Sequence, residues 1–208
     1  MSVFEQLSNF VDQKGNDANI ALAQNLAMAP NNAAIAQLVD GLQHENKKIR
    51  HDCLKVLYEL GYLSPKSIAP YYDQFMALLL QKDNRMVWGG MIAIATITNI
   101  EHKMVYAHIA LINNVIQTGS TISIDNGVKI LAALNKHKAY RSVVEPMLSH
   151  VLWNCPIKQL PMYIENSLDA IDAQNHAIFE QIINNRLPEC EKESQTKRLR
   201  KGLKTIQK

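Results

Sequence analysis

The chain has 208 residues, 47% hydrophobic and 20% charged, which is enough apolar material for a core and excludes wholesale disorder. Glycine (8) and proline (7) are both scarce, which excludes collagen-like and flexible-linker sequence. The net charge of +3 is uneven: residues 1–46 carry −4, 47–104 carry +3, 105–188 are neutral and 189–208 carry +4, a mild bias compatible with nucleic acid without demanding it.

In chain order the pattern is helical throughout and reads as about a dozen short helices with short links. Few β-branched runs alternate with polar residues, as a sandwich or barrel would need. Ser2-x-x-Glu5 is a capping box that opens a first helix, and Gly15 stops it. Pro30-Asn31-Asn32 breaks the next two. From Lys47 to Leu60, Ile49, Cys53, Val56, Leu57 and Leu60 recur at helical spacing, while Lys48, Asp52, Lys55 and Glu59 make a charged face. Gly61 ends that helix and Ser64-Pro65 opens the following one. Gly119-Ser120 and Cys155-Pro156 separate later pairs. Leu187-Pro188 precedes a basic segment whose Leu199, Leu203 and Ile206 form a thin apolar stripe. The uncharged stretch from Met104 to Ile124 is interrupted by Asn113, Asn114, Gln117 and Gly119, so no membrane span is expected. The early Glu5 and the lack of a basic leader predict no signal peptide.

An internal repeat underlies this order. Leu42-Gln43-His44-Glu45-Asn46-Lys47-Lys48-Ile49 matches Leu80-Gln81-Lys82-Asp83-Asn84-Arg85-Met86-Val87 at an offset of 38. On that register Ile49, Cys53, Val56 and Leu57 become Val87, Met91, Ile94 and Ala95. Pro70 and Pro146, twice that offset apart, are expected near the starts of long helices. Weaker units run from Ile116 to Leu134 and from Leu152 to Ile171.

The stretch from Leu42 to Gly61, with a polar turn, the Ile49-Arg50 pair, then Cys53, Leu57 and Leu60, resembles the HEAT/armadillo superfamily of α-solenoids. The resemblance covers residues 31–172 and departs from the pattern at Trp88, Asp125 and Pro161. It implies an all-α, right-handed α-α superhelix of about four to five helical hairpins with terminal caps. The whole chain is then one solenoid domain: 1–30 an N-terminal cap hairpin, 31–172 the repeats, and 173–208 C-terminal capping helices with a basic tail. It also implies that the second helix of each pair lines a concave groove. That surface draws on Lys47, Lys48, Arg50, His51, Arg85, Trp88, Asn126, Lys129, Gln159 and Tyr163. Trp, Tyr and Arg are the side chains that most often anchor interfaces, while any of these residues is equally at home as an ordinary solvated or packed side chain.

Catalytic signatures are missing from the sequence: no HExxH, GxSxG, Walker A or GxGxxG. His102 and His108 are six residues apart, on different helix faces, so no metal pair is expected. Cys53, Cys155 and Cys190 form no CxxC pair and read as reduced residues of a cytoplasmic protein, Cys53 on a core stripe as an inert buried thiol. Gly89-Gly90 inside a helix costs about 1 kcal/mol per glycine relative to alanine. Either a neighbouring helix packs closely there or a partner's backbone approaches beside Trp88. On the 38-residue register the charged face Lys48, Asp52, Lys55, Glu59 becomes Met86, Gly90, Ala93, Ile97, which is either simply buried or an apolar binding strip.

These observations predict a non-catalytic interaction module with a protein partner and no cofactor, metal or small-molecule ligand. The alternative is nucleic-acid binding, through the groove cations or through Lys192, Lys197, Arg198, Arg200, Lys201, Lys204 and Lys208 of the tail. A minor form of that alternative is resemblance to HEAT-like alkylpurine DNA glycosylases, with Trp88, Trp153 and Asp125 beside the base. A HEAT-like lyase is a residual third class.

Overall fold

Helices account for every regular element in the computed structural model, which describes residues 2–11 and 15–207. Met1, residues 12–14 of the N-terminal cap and Lys208 of the basic tail lie outside the described residues. Thirteen α-helices are present among the described residues, with no strand. The chain divides into two compact units, Met1–Ile124 and Asp125–Lys208.

The first unit opens with a 3-10 turn at Val3–Gln6 rather than the expected helix. The Ser2 side chain accepts from the Phe4 amide, two residues on, so the full capping box is not formed. Gly15 follows with φ +99°, a conformation that a side chain would strain. Helices α1 (Asp17–Met28) and α2 (Asn32–Asp40) are separated at Pro30 as expected, and Asn31 caps α2 by accepting from the Ala34 amide. Helix α3 (Lys47–Leu63) is the centre of this unit and packs against α1, α2, α4 (Pro65–Ile68) and α6 (Asn84–Ile97). It does not stop at Gly61. That glycine is an interior seat, where a Cβ would collide with Thr96 of α6, and the stop is made by Ser64-Pro65. Helix α5 (Tyr72–Leu78) covers another side of α6. Helices α7 (His102–Ala107) and α8 (Ile109–Thr118) complete the unit, and the division falls within α9 (Thr121–Asn135).

The repeat is real in three dimensions but its register is 37, not 38. Helix α3 begins at Lys47, capped by Asn46, and α6 begins at Asn84, capped by Asp83. The cap role passes one residue earlier in the second turn, so the whole helix rotates by one position. Ile49, Cys53, Val56, Leu57 and Leu60 therefore correspond to Met86, Gly90, Ala93, Ile94 and Ile97, all of them buried. Val87 is half-exposed and is not the equivalent of Ile49. The apolar set Met86, Gly90, Ala93, Ile97 is thus core, not an open strip.

A polar staple holds the N-terminal segment to α3. Asp52, expected on the solvated charged face, is buried. Its carboxylate accepts from the backbone and side-chain amides of Asn9 (2.9 and 2.6 Å) and from the Asn19 side chain (2.9 Å), while Asn19 accepts from the Ser8 amide. Every lone pair used this way offsets the cost of burying charge.

The second unit contains α10 (Arg141–Asn154), α11 (Leu160–Ser167), α12 (His176–Arg186) and α13 (Glu193–Ile206). Helix α10 packs on α11 and α12, and α13 packs on both of those. Leu199 is the buried residue of the α13 stripe, Leu203 and Ile206 are half-buried, and Gly202 seats Ile164 of α11. Pro146 lies inside α10, whereas Pro70 lies in the 3-10 turn Ala69–Tyr71 before the short α5, so the two prolines are not equivalent. Between α11 and α12, Asp172 receives a two-pronged bond from Arg141 (3.1 and 2.8 Å) and the Gln174 amide. The Arg141 bond, then that amide, hold the Asp172 carboxyl at about 2.

Candidate functional site

One face of α3 carries Lys47, His51, Lys55, Tyr58 and Tyr62 at intervals of three and four residues, which stacks them in a row. Helix α6 sets Arg85 and Trp88 beside that row. The approach is possible because residue 89 is glycine: a Cβ there would collide with Leu54 of α3. Gly90 does the same for α5, where a Cβ would lie 3.0 Å from Leu78 Cβ and 3.1 Å from the Phe75 carbonyl. The glycine pair is explained by close packing of two neighbouring helices on two sides of α6.

The Trp88 and Tyr58 rings are neighbours, their centres 6.2 Å apart and their planes tilted by 55°. Lys55 Nζ sits 4.8 Å above the Tyr58 ring and Arg85 Cζ 5.9 Å from the Trp88 ring centre, so each aromatic has a cation on its face. Tyr58 is buried beneath the strip, and burial raises its phenol above the ordinary value against the opposing pull of Lys55. Tyr62 extends the row and is half-exposed at 52%.

The carboxylates of the strip are already engaged. Asp83 Oδ1 accepts from the Arg85 amide, and its Oδ2 lies 2.9 Å from His51 Nε2 and 3.3 Å from Lys47 Nζ. Burial alone would raise the Asp83 carboxyl; the bonds from His51, the Arg85 amide and Lys47 outweigh it and hold the group below its usual range. Glu59 accepts from Lys55 at 2.6 Å.

The structure distributes the residues expected on a groove differently. Lys47, His51, Arg85 and Trp88 come together on the strip, and Lys48 is exposed on α3. Arg50 is turned away: its Nη1 donates to the carbonyls of His44 (2.8 Å) and Glu45 (3.1 Å), clamping the turn that precedes α3. In the second unit Asn126 and Tyr163 are only 5% and 1% exposed, so they are core residues and not groove lining. The Tyr163 hydroxyl donates to Asp125 at 2.6 Å, and burial together with that carboxylate pushes the phenol far up. Lys129 donates to Asn126, and Gln159 serves as the backbone N-terminus of α11, its carbonyl accepting from the Tyr163 amide. Tyr58, Tyr62, Lys55 and Asp83 escape the family pattern. The first three are legible from their spacing to Lys47 and His51; Asp83 is hidden because the repeat alignment puts Asn84 in its place.

Other candidates carry less. A cleft of about 470 Å³ in the second unit is lined by Leu168, Ile171, Asp172, His176 and Glu180, but its Asp172 is tied to Arg141. Among the described residues no three His, Cys, Asp or Glu side chains gather as a metal site, and no helix is long and apolar enough to cross a membrane. His108 Nδ1 is hydrogen-bonded to the Tyr72 hydroxyl at 3.0 Å, a structural bond within the first unit.

No protein-family model matches the sequence, and no curated protein does. Solved structures do. A designed armadillo repeat protein in complex with the peptide (KR)4 is similar with a TM-score of 0.65 at 13% identity, over 89% of this chain and 86% of that one. A computationally designed armadillo repeat protein for modular peptide recognition follows at 0.62 and 14%, over 98% of both chains. The fold is of the armadillo repeat type. An engineered protein is similar over 99% of both chains, with a TM-score of 0.60 and 16% identity. Identities this low carry the armadillo fold alone, an all-α superhelical repeat, and agree with the resemblance read from Leu42 to Gly61.

Proposed function

We propose that the protein is a non-catalytic binding module that holds a segment of a protein partner against the α3/α6 strip of its first unit. The observation that carries this reading is the pairing of Trp88 with Tyr58, each ring also with a cation over it. Rigid aromatics and arginine bury large areas at low entropic cost, which is why they dominate binding hot spots. The same fold holds a peptide in the designed armadillo protein solved with (KR)4. The carboxylate at the centre of the strip, Asp83, is shifted away from neutrality, opposite to what a general base requires. Three free thiols, two of them buried, fit a cytoplasmic protein.

The second reading, nucleic-acid binding, is favoured by the exposed Arg200, Lys201 and Lys204 of α13. Against it, Arg198 is paired with Glu165 and Lys197 with Glu193. A pull-down from native extract, with and without nuclease, compares the two. The module reading expects a stoichiometric protein that survives nuclease and is lost in Trp88→Ala. Bound material that disappears with nuclease and is unaffected by Trp88→Ala would move the site to α13.

A further inference from the structure

We propose that the strip on α3 and α6 selects an acidic peptide segment, the opposite polarity to the (KR)4 peptide held by the designed armadillo protein of the same fold. The inference deepens the binding-module reading and rests on it. Its ground is the balance of donors and acceptors. Both carboxylates of the strip are occupied: Asp83 by the Arg85 amide, His51 and Lys47, and Glu59 by Lys55. The cations are not saturated. An ammonium has three donors and a guanidinium five. Lys47, 62% exposed, has one carboxylate contact, at the long distance of 3.3 Å. The Arg85 guanidinium rests on the Trp88 ring and makes no hydrogen bond or ion pair among the described residues. Lys48 adds a further exposed ammonium on the adjacent turn.

A basic peptide would have to take Asp83 or Glu59 from partners that already hold them, and would meet Arg85 and Lys47 as like charges. An acidic peptide adds bonds to donors that have room for them. The guanidinium lies over the Trp88 ring and keeps its N–H donors for a two-pronged carboxylate bond. Apolar side chains interspersed with the acids would find the Trp88 and Tyr62 surfaces. The partner is therefore an acidic segment carrying aliphatic or aromatic residues.

The test is fluorescence anisotropy on the full-length protein with three labelled probes: an alternating Glu-Leu octapeptide, the (KR)4 peptide and a single-stranded oligothymidylate. The Glu-Leu peptide is expected to bind at least about tenfold more tightly than (KR)4 and to weaken as salt rises. Arg85→Glu should weaken it about tenfold, because it replaces attraction by repulsion at the centre of the site. That variant places an acid in the first turn of α6, where the helix dipole favours it, so folding is retained and can be checked by circular dichroism. The same reversal at exposed Lys103 of α7 should have a smaller effect. Binding of (KR)4 as tight as or tighter than the acidic peptide overturns the proposal. So does tighter binding of the oligonucleotide with the same loss in Arg85→Glu, which would make the ligand a phosphate polymer. If none of the probes binds, the acidic-peptide proposal fails, and the pull-down with Trp88→Ala judges the module reading separately.

Discussion

Gly89 and Gly90 show how much a single missing methyl group decides. Leu54 occupies the space a side chain at 89 would need, and Phe75 and Leu78 do so at 90. Gly89→Val should destabilise the fold by about 2–3 kcal/mol through overpacking, read from the urea midpoint, despite the better helix propensity of the new residue. Asp52 is the second decisive residue. Asp52→Ala leaves the Asn9 and Asn19 amides without their acceptor and should cost about 2–3 kcal/mol, with faster amide hydrogen exchange at residues 8 and 9. At Asp172 the prediction concerns pH. Its carboxyl is lowered in the fold, so the Arg141 contact contributes stability above about 3.9, the ordinary carboxyl value, and that contribution is lost as pH falls through about 2. The destabilisation caused by Arg141→Met should be full near neutrality and shrink over that acid window. An Arg141→Met penalty independent of pH would disprove the linkage. The bond from Arg141 to the Asn135 carbonyl involves no group that titrates there, so its share of the penalty remains in acid.

Among the elements, α3 and α6 are alike in register but not in surroundings. A one-residue difference in the preceding turn moves the N-cap from Asn46 to Asp83 in the aligned sequences, and the 100° rotation that follows exchanges a half-exposed Val87 for a buried Met86. Met86→Lys should therefore unfold the first unit, while Val87→Lys should be tolerated within about 1 kcal/mol; the reverse order would restore the 38-residue register. Helix α13 is held to its unit by one side, packed on α11 and α12. Leu199 is fully buried while the charged side chains of the helix, Glu193, Lys197, Arg198, Arg200, Lys201 and Lys204, are exposed. Leu199→Ala should cost about 2–4 kcal/mol. Changes at Arg200 or Lys204 should leave stability unaltered, as expected of exposed cations.

For the whole molecule, the armadillo fold rests on helices too short to be stable alone, several of them fewer than ten residues long. Their stability comes from packing, so the far-ultraviolet circular dichroism should be lost cooperatively with the fluorescence of Trp88 and Trp153, not before it. The selectivity of the strip is a property of this scale as well. Arg85 and Lys47 are single surface cations in sequence, and only their alignment beside Trp88, with both local carboxylates already engaged, gives the face its polarity.

Read alone, the sequence determined the helix content, most breaks between helices and the helical-repeat fold. These follow from local chemistry: proline and Asn caps, the 3.6-residue apolar period, and a recurrent polar turn. Tertiary structure alone decided which register the repeat obeys, that Asp52 is buried in a staple, that Arg50 turns back to the His44 carbonyl, and that Asn126 and Tyr163 are core residues. A side chain's neighbours across a helix interface are set by rotations as small as one residue, and by small residues such as Gly89 that let a second helix approach. The rotation leaves no mark in the periodicity of the helix, and the glycine marks a close approach without naming the helix that makes it.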